Sequence, residues 1–348
     1  MQNLLTLIAD RPGIRAKGIP GVALCLLLAA AALNLSQLPV PGFSILGPLT
    51  LAMLIGLGIG QWLPETIRSH TQSGTSFARQ RLLRLGIVLY GLRIGIDDLI
   101  QIGPSALVTD LLVVTCTFAL AAWMGVRLLK MELRSALLVG AGSAVCGAAA
   151  ILATAPALRA REQDIPVAIG TVVLFGTCAM LLYPWLWTLS PVQSLFNGSE
   201  MDFGRYMGAT IHEVAQVAAA AGGLQPAAGE AAVLTKLVRV MLLVPVIFVI
   251  GSIFAKRDGG CQEEPIRPPW FALVFLLMPF VSASGLFNAD QLKLIAQVDT
   301  IILCMAMAAL GLETRFSVLK KAGWAPLLLG ALLFLFLLVG GLGFTLLI

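Results

Sequence analysis

Two short stretches hold most of the side chains able to do chemistry in the interior of this otherwise apolar sequence. One is His212-Glu213-Val214-Ala215-Gln216, inside Gly208 to Gly223 (GATIHEVAQVAAAAGG); the other is Gly142-Ser143 with Cys146-Gly147, inside Leu137 to Pro156 (LLVGAGSAVCGAAAILATAP). The first has the outline of a zinc-protease H-E-x-x-H with Gln in place of the second His, and His70 is the only other histidine. The ligand set for a catalytic zinc is therefore missing. Neither a metal nor a cofactor is expected, and the chain is not expected to be an enzyme. On a continuous helix His212 and Gln216 share one face, a line of donors and acceptors suited to a polar solute or a proton. The competing, purely structural reading has His212 and Glu213 capping a helix start after Thr210 and pointing to the interface.

Lys236 and Arg239, three apart, share a face of the next apolar helix. Lys236 can snorkel to the outer interface. Arg239 lies a turn deeper and cannot lose its proton, so it needs an anionic partner, either Glu213 or a bound substrate. Asp110 and Asp299 sit in or near apolar runs and are lesser candidates for ion coupling, whereas Arg93, Asp97, Asp98 and Glu313 lie near helix ends and read as interfacial.

Composition decides what kind of structure must position these groups. The 348 residues are 58% hydrophobic and 12% charged, with mean hydropathy +0.93, against about 25% charged in soluble domains. The expected fold is all-α, a single polytopic membrane domain over 1–348. The net charge of +5 resides in short loops between apolar runs, where it sets orientation, so nucleic acid is not an expected partner. Six cysteines without C-x-x-C pairing indicate neither a disulfide framework nor a structural zinc. Spans need about 20 apolar residues. On that rule helices fall near 19–36, 45–63, 82–96, 105–126, 165–189, 232–254, 270–286, 291–312 and 325–347. The two small-residue stretches bring the total to roughly eleven membrane segments.

Basic clusters at Arg11 to Lys17, Arg68 to Arg84, Arg127 to Arg134, Lys256 to Arg267 and Arg315 to Lys321 place those regions, and the N-terminus, in the cytoplasm. The small-residue stretches fit as broken or re-entrant helices, because Gly142 and Gly147 each weaken a helix by roughly 1 kcal/mol relative to Ala and small residues let backbones approach closely. A faint repeat reinforces this. Gly91-Leu92, Leu99, Gly103 and Leu107 recur at one offset as Gly311-Leu312, Leu319, Gly323 and Leu327, in segments of opposite expected topology. Such repeats mark transporters that bind substrate at the midplane on discontinuous helices, although the two small-residue stretches do not share the offset.

The blocks GSAVCGAAAI (Gly142 to Ile151), GATIHEVAQVAAA (Gly208 to Ala220) and TKLVRVMLLVPV (Thr235 to Val246) resemble those of the YeiH-type family of bacterial inner-membrane proteins, classed as sulfate exporters. RLGIVLYGLRIGIDDL (Arg84 to Leu99) and ALGLETRFSVLKKAG (Ala309 to Gly323) resemble it too. The resemblance implies the superfold of cation/proton antiporters and anion exporters, with inverted repeats and broken helices.

The sequence thus points to a secondary active transporter exporting a small inorganic or organic anion, such as sulfate or a sulfonate, from the cell through the inner membrane. The alternative is a cation/proton antiporter of the same superfold. Gly142, Ser143, Cys146, Gly147, Thr210, His212, Gln216 and Arg239 are the expected substrate-binding residues, with helix N-termini near Ser143 and Thr210 facing the anion. His212, Glu213 and Lys236 are the expected coupling residues. The expected partners are the anion, a coupling proton or sodium ion, the lipid bilayer and, in an assembly, a second copy as a homodimer.

Overall fold

The computed structural model describes residues 18–37, 47–95, 103–258, 270–314 and 323–348, and among these only helices and turns occur. In chain order the helices are α1 Ile19–Ser36, α2 Pro48–Trp62, α3 Glu65–Phe77, α4 Leu83–Tyr90, α5 Gly103–Trp123, α6 Leu133–Ala144, α7 Ala148–Thr154 and α8 Asp164–Trp187. Then follow α9 Ser190–Leu195, α10 Glu200–Thr210, α11 Val214–Ala220, α12 Pro226–Met241, α13 Leu243–Asp258, α14 Trp270–Ala283, α15 Ala289–Glu313 and α16 Trp324–Leu347. Among the described residues six stretches are long and apolar enough to cross a membrane: Ile19–Ser36, Leu107–Leu128, Asp164–Trp187, Pro226–Phe254, Ala289–Glu313 and Trp324–Leu347. Their large exposed side chains, such as Leu27, Phe248 and Leu335, face outward. That is stable in lipid, where no hydrophobic force separates outside from core.

Close backbone approach does the packing that hydrophobicity cannot. A Cβ on Gly56 of α2 would lie 2.3 Å from the Ala308 carbonyl oxygen of α15, and one on Gly208 of α10 would lie 2.2 Å from the Ala232 oxygen of α12. Starts are set by local chemistry. Ser199 accepts from the Asp202 N–H to open α10, and Asn288 with Gln291 forms a capping box at α15.

Several sequence expectations change. The basic stretch Arg68 to Arg84, read as a loop that also held His70, is helical: α3 runs through a π-turn (Ala78–Leu82) into α4. Its charges have structural work that composition does not reveal. Arg68 donates to the carbonyls of Gly60 and of Leu312, at the ends of α2 and α15, where a cation is favoured. Arg79 pairs with Glu313 at 2.6 Å, and Thr75 and Ser76 also donate to that carboxylate. Glu313 is thus a network member rather than a free interfacial acid. The acidic "loop" with Glu200 and Asp202 is the first turn of α10. The helix expected from 232 begins at Pro226 and is interrupted by a turn at Leu242, three residues before Pro245, whose ring disfavours helical geometry ahead of it.

Part of the expected repeat falls on described residues. Gly91-Leu92 and Gly311-Leu312 lie in last helical turns, while Gly103 opens α5 and Gly323 caps α16. Leu99, Leu319, Asp97, Asp98, Cys261 and the basic groups Arg11 to Lys17 and Arg315 to Lys321 lie outside the described residues.

Candidate functional site

Both small-residue stretches are interrupted helices, and they meet. The first breaks at Val145 to Gly147, between α6 and α7, where Gly147 takes φ +69° and ψ −135°; this combination is essentially restricted to glycine. The second breaks at Ile211 to Glu213, between α10 and α11, with Ile211 and Glu213 both extended. Across the gap the Glu213 carboxylate accepts the Ala148 N–H at 3.0 Å. It also accepts the Gln216 N–H, while the Gln216 side chain accepts the Glu213 N–H at 3.2 Å. One carboxylate therefore holds the starts of α7 and α11 together. Gly147 makes the fit possible: a Cβ there would lie 2.2 Å from Glu213 Cγ.

The opposite ends are held by cations. Arg239, fully buried on α12, donates Nη2 to the Ser143 carbonyl at 3.1 Å, Nε to the Ala144 carbonyl and Nη1 to the Ala209 carbonyl. Lys236, also fully buried, donates to the Ile211 carbonyl at 2.5 Å. These are the orphan carbonyls of the two half-helices, at the negative ends of their dipoles. The crossing is thus closed by its own charges, with carboxylate at the two starts and guanidinium and ammonium at the two ends.

This geometry corrects four expectations. Ser143 and Thr210 stand at C-terminal ends, so the N-termini lie at Ala148 and Val214 and are already occupied by Glu213. Arg239 is paired with carbonyls rather than with Glu213. Lys236 reaches inward instead of snorkelling. His212 and Gln216 do not share a helical face, since His212 lies in the break and Gln216 in the first turn of α11. The capping reading of Glu213 holds locally, but the cap is buried and not interfacial.

The expected binding residues also divide by what they are free to do. The Thr210 hydroxyl is engaged, accepting from Tyr183 at 2.6 Å and donating to the Tyr206 carbonyl at 2.6 Å. Gln216 is held by the capping box, and a Cβ on Gly176 of α8 would lie 2.1 Å from its Oε1. Cys146 and Gly147 form the break itself, and Gly142 packs against Ile151 and Val172. Ser143 Oγ and both ring nitrogens of His212 are buried without a hydrogen-bond partner among the described residues. The His212 ring centroid lies 6.4 Å from that of Phe334 on α16.

Substitutions at the two hydroxyls are expected to behave oppositely. Thr210→Val, which leaves the buried Tyr183 hydroxyl without its acceptor, should lower stability by about 1–3 kcal/mol. Ser143→Ala removes a hydroxyl with no partner among the described residues and should be near neutral. Thermal melts of the purified variants in one detergent provide the check.

Asp110 and Asp299, lesser candidates in the sequence, are both fully buried. Asp110 is fully buried on α5, with neither oxygen bonded among the described residues. Asp299 pairs with Arg93 at 2.7 Å, and this guanidinium, expected at an interface, also donates to the Ala296 carbonyl and Thr300. Tyr183 and Gly176 carried no signal, because their roles exist only across the fold. Away from the crossing, an open apolar groove lined by Gly58, Ile59, Trp62, Leu63 and Pro64 contains no ionisable side chain.

Residues 20–330 match a protein-family model described as "Conserved hypothetical protein 698". The chain is 42% identical over 333 residues to a UPF0324 membrane protein of Yersinia pestis, covering 94% of this chain and 92% of that one. It is 40% identical over 325 residues to the UPF0324 inner membrane protein YeiH of Escherichia coli K12, covering 93% and 92%. A UPF0324 membrane protein of Haemophilus influenzae is 41% identical over 295 residues, covering 84% and 86%. No solved structure matches the chain. With a matching family model across most of its length, relatives at these identities and helices apolar enough to cross a bilayer, the chain belongs to the UPF0324 family of multi-pass membrane proteins, the YeiH-type family that its sequence blocks resemble.

Proposed function

We propose that this protein is a secondary active transporter of the inner membrane that exports a small oxyanion, with sulfate or a sulfonate as the substrate class. The observation that carries the reading is the presence of two unpartnered buried groups, Ser143 Oγ and the His212 ring, on the two interrupted helices whose carbonyls at Ser143 and Ile211 accept from Arg239 and Lys236. A hydroxyl, an imidazole N–H and the fixed charge of Arg239 suit an oxyanion. The site is sealed, so a ligand enters only if the half-helices shift, and movement of one helix bundle against another is the ordinary means in transporters with broken helices. Roughly eleven membrane segments in two inverted repeats, with the N-terminus in the cytoplasm, complete the reading. The matching helix ends at Gly91 and Gly311 support it.

Ligand stabilisation of purified protein tests binding. Sulfate, sulfite or methanesulfonate at a hundredfold excess over its Kd should add about 2.7 kcal/mol of apparent stability. Ser143→Ala should weaken binding by about tenfold, the worth of one hydrogen bond to an ion. Stabilisation by sodium and by none of the anions would favour the second reading, cation/proton antiport, which the burial of Asp110 and Asp299 supports.

A further inference from the structure

Asp110 is the one buried acid among the described residues with both carboxyl oxygens unpartnered. It is fully buried in the second turn of α5, and neither carboxyl oxygen has a hydrogen-bond donor. Of the elements packed on α5, α12 brings charge to it: Arg239 and Lys236 lie within Coulombic reach. Beyond Arg134 in its first turn α6 carries no ionisable residue, and α16 has none. The charged residues of α10, Glu200, Asp202 and Arg205, sit in its first two turns, away from the end that Arg239 holds, and Arg127 and Arg134 stand at the far ends of the α5–α6 hairpin. Both nearby cations are already committed to carbonyls, Arg239 to three and Lys236 to the Ile211 oxygen.

We infer that Asp110 is the proton-coupling site of the transport cycle, taking a proton from water when the anion binds beside Arg239 and returning it to water when the anion leaves. A buried carboxylate with no donor costs several kcal/mol, and a proton removes that charge without needing a coordination shell. A metal cation would need several oxygen ligands and would face the fixed positive charge of Arg239. With Asp110 neutral, the positive charge of Arg239 is left for the anion; with Asp110 ionised, its carboxylate offsets that charge. Proton and anion therefore bind together and move in the same direction, so each anion exported carries a proton with it.

The inference rests on the transporter reading, and the test separates the two. In purified protein carrying isotope-labelled aspartate, infrared spectroscopy should show a carboxylic-acid C=O band that disappears on raising pH and is missing from Asp110→Asn. Adding methanesulfonate should shift the titration of that band to higher pH. In proteoliposomes, an outward methanesulfonate gradient should make the interior alkaline with wild type and leave it unchanged with Asp110→Asn. A titrating band that survives in Asp110→Asn, or no acid band in wild type at any pH, overturns the assignment. Sodium displacing the band at constant pH overturns it in favour of a cation site. A band belonging to Asp110 together with no flux of any anion would leave the proton site standing and remove the transporter reading. Asp110→Glu, which keeps the carboxyl, covers failure of the Asn variant to fold: it should retain an acid band, and a spectrum identical to wild type in the labelled-aspartate region would exclude Asp110.

Discussion

Arg239→Leu should be the most damaging single substitution in the chain. It strands the carbonyls of Ser143, Ala144 and Ala209 in the protein interior, at about 1–3 kcal/mol for each unsatisfied group. The expected loss is on the order of 5 kcal/mol, comparable with the whole folding stability of a small domain. Arg239→Lys keeps the charge but cannot reach two helix ends with one planar fork. It should therefore recover folding only in part and abolish anion binding. Yield and melting temperature in detergent measure the first effect, and ligand stabilisation measures the second. An Arg239→Leu protein that melts like wild type would mean that these carbonyls find other partners.

Gly147→Val should follow closely. The position has φ +69°, and its added Cβ would lie 2.2 Å from Glu213 Cγ and 2.5 Å from its Oε1. Backbone strain of about 1–3 kcal/mol is joined by overpacking of similar size, and both act on the contact that joins α7 to α11. Glu213→Gln separates geometry from charge at the same place. The amide oxygen can still accept from Ala148 and Gln216, so the fold should survive with a loss of about 1 kcal/mol, the difference between an ionic and a neutral acceptor. Melting curves of the three proteins in one detergent decide. Equal losses for Gly147→Val and Glu213→Gln would show that charge, and not shape, holds the crossing.

Much of this arrangement could be read from residue types. Glycine, alanine and serine runs marked both breaks, since small residues both weaken helices and permit close crossings, and the rarity of charge in apolar stretches singled out His212, Glu213, Lys236 and Arg239. Polarity of the half-helices could not be read that way. Whether Ser143 ends a helix or begins one depends on which of Gly142 and Gly147 takes the positive φ, and both are equally able to do so. The partners of Arg239 were equally hidden, because backbone carbonyls leave no mark in a sequence, whereas Glu213 does and drew the expected pairing. The basic run at Arg68 to Arg84 misled for the same reason: its targets include the ends of α2 and α15, brought together only by the fold.

The central claim is that the meeting of the two interrupted helices is a transport site for a small oxyanion. Counterflow in proteoliposomes tests it most directly, with vesicles loaded with unlabelled sulfate, sulfite or methanesulfonate taking up a trace of the same labelled anion. Wild type should accumulate label transiently above equilibrium for at least one of these anions, Ser143→Ala should slow the uptake about tenfold at subsaturating anion, and Arg239→Lys should abolish it. Uptake of none of the three by folded wild type, or uptake unchanged in both variants, would contradict the account.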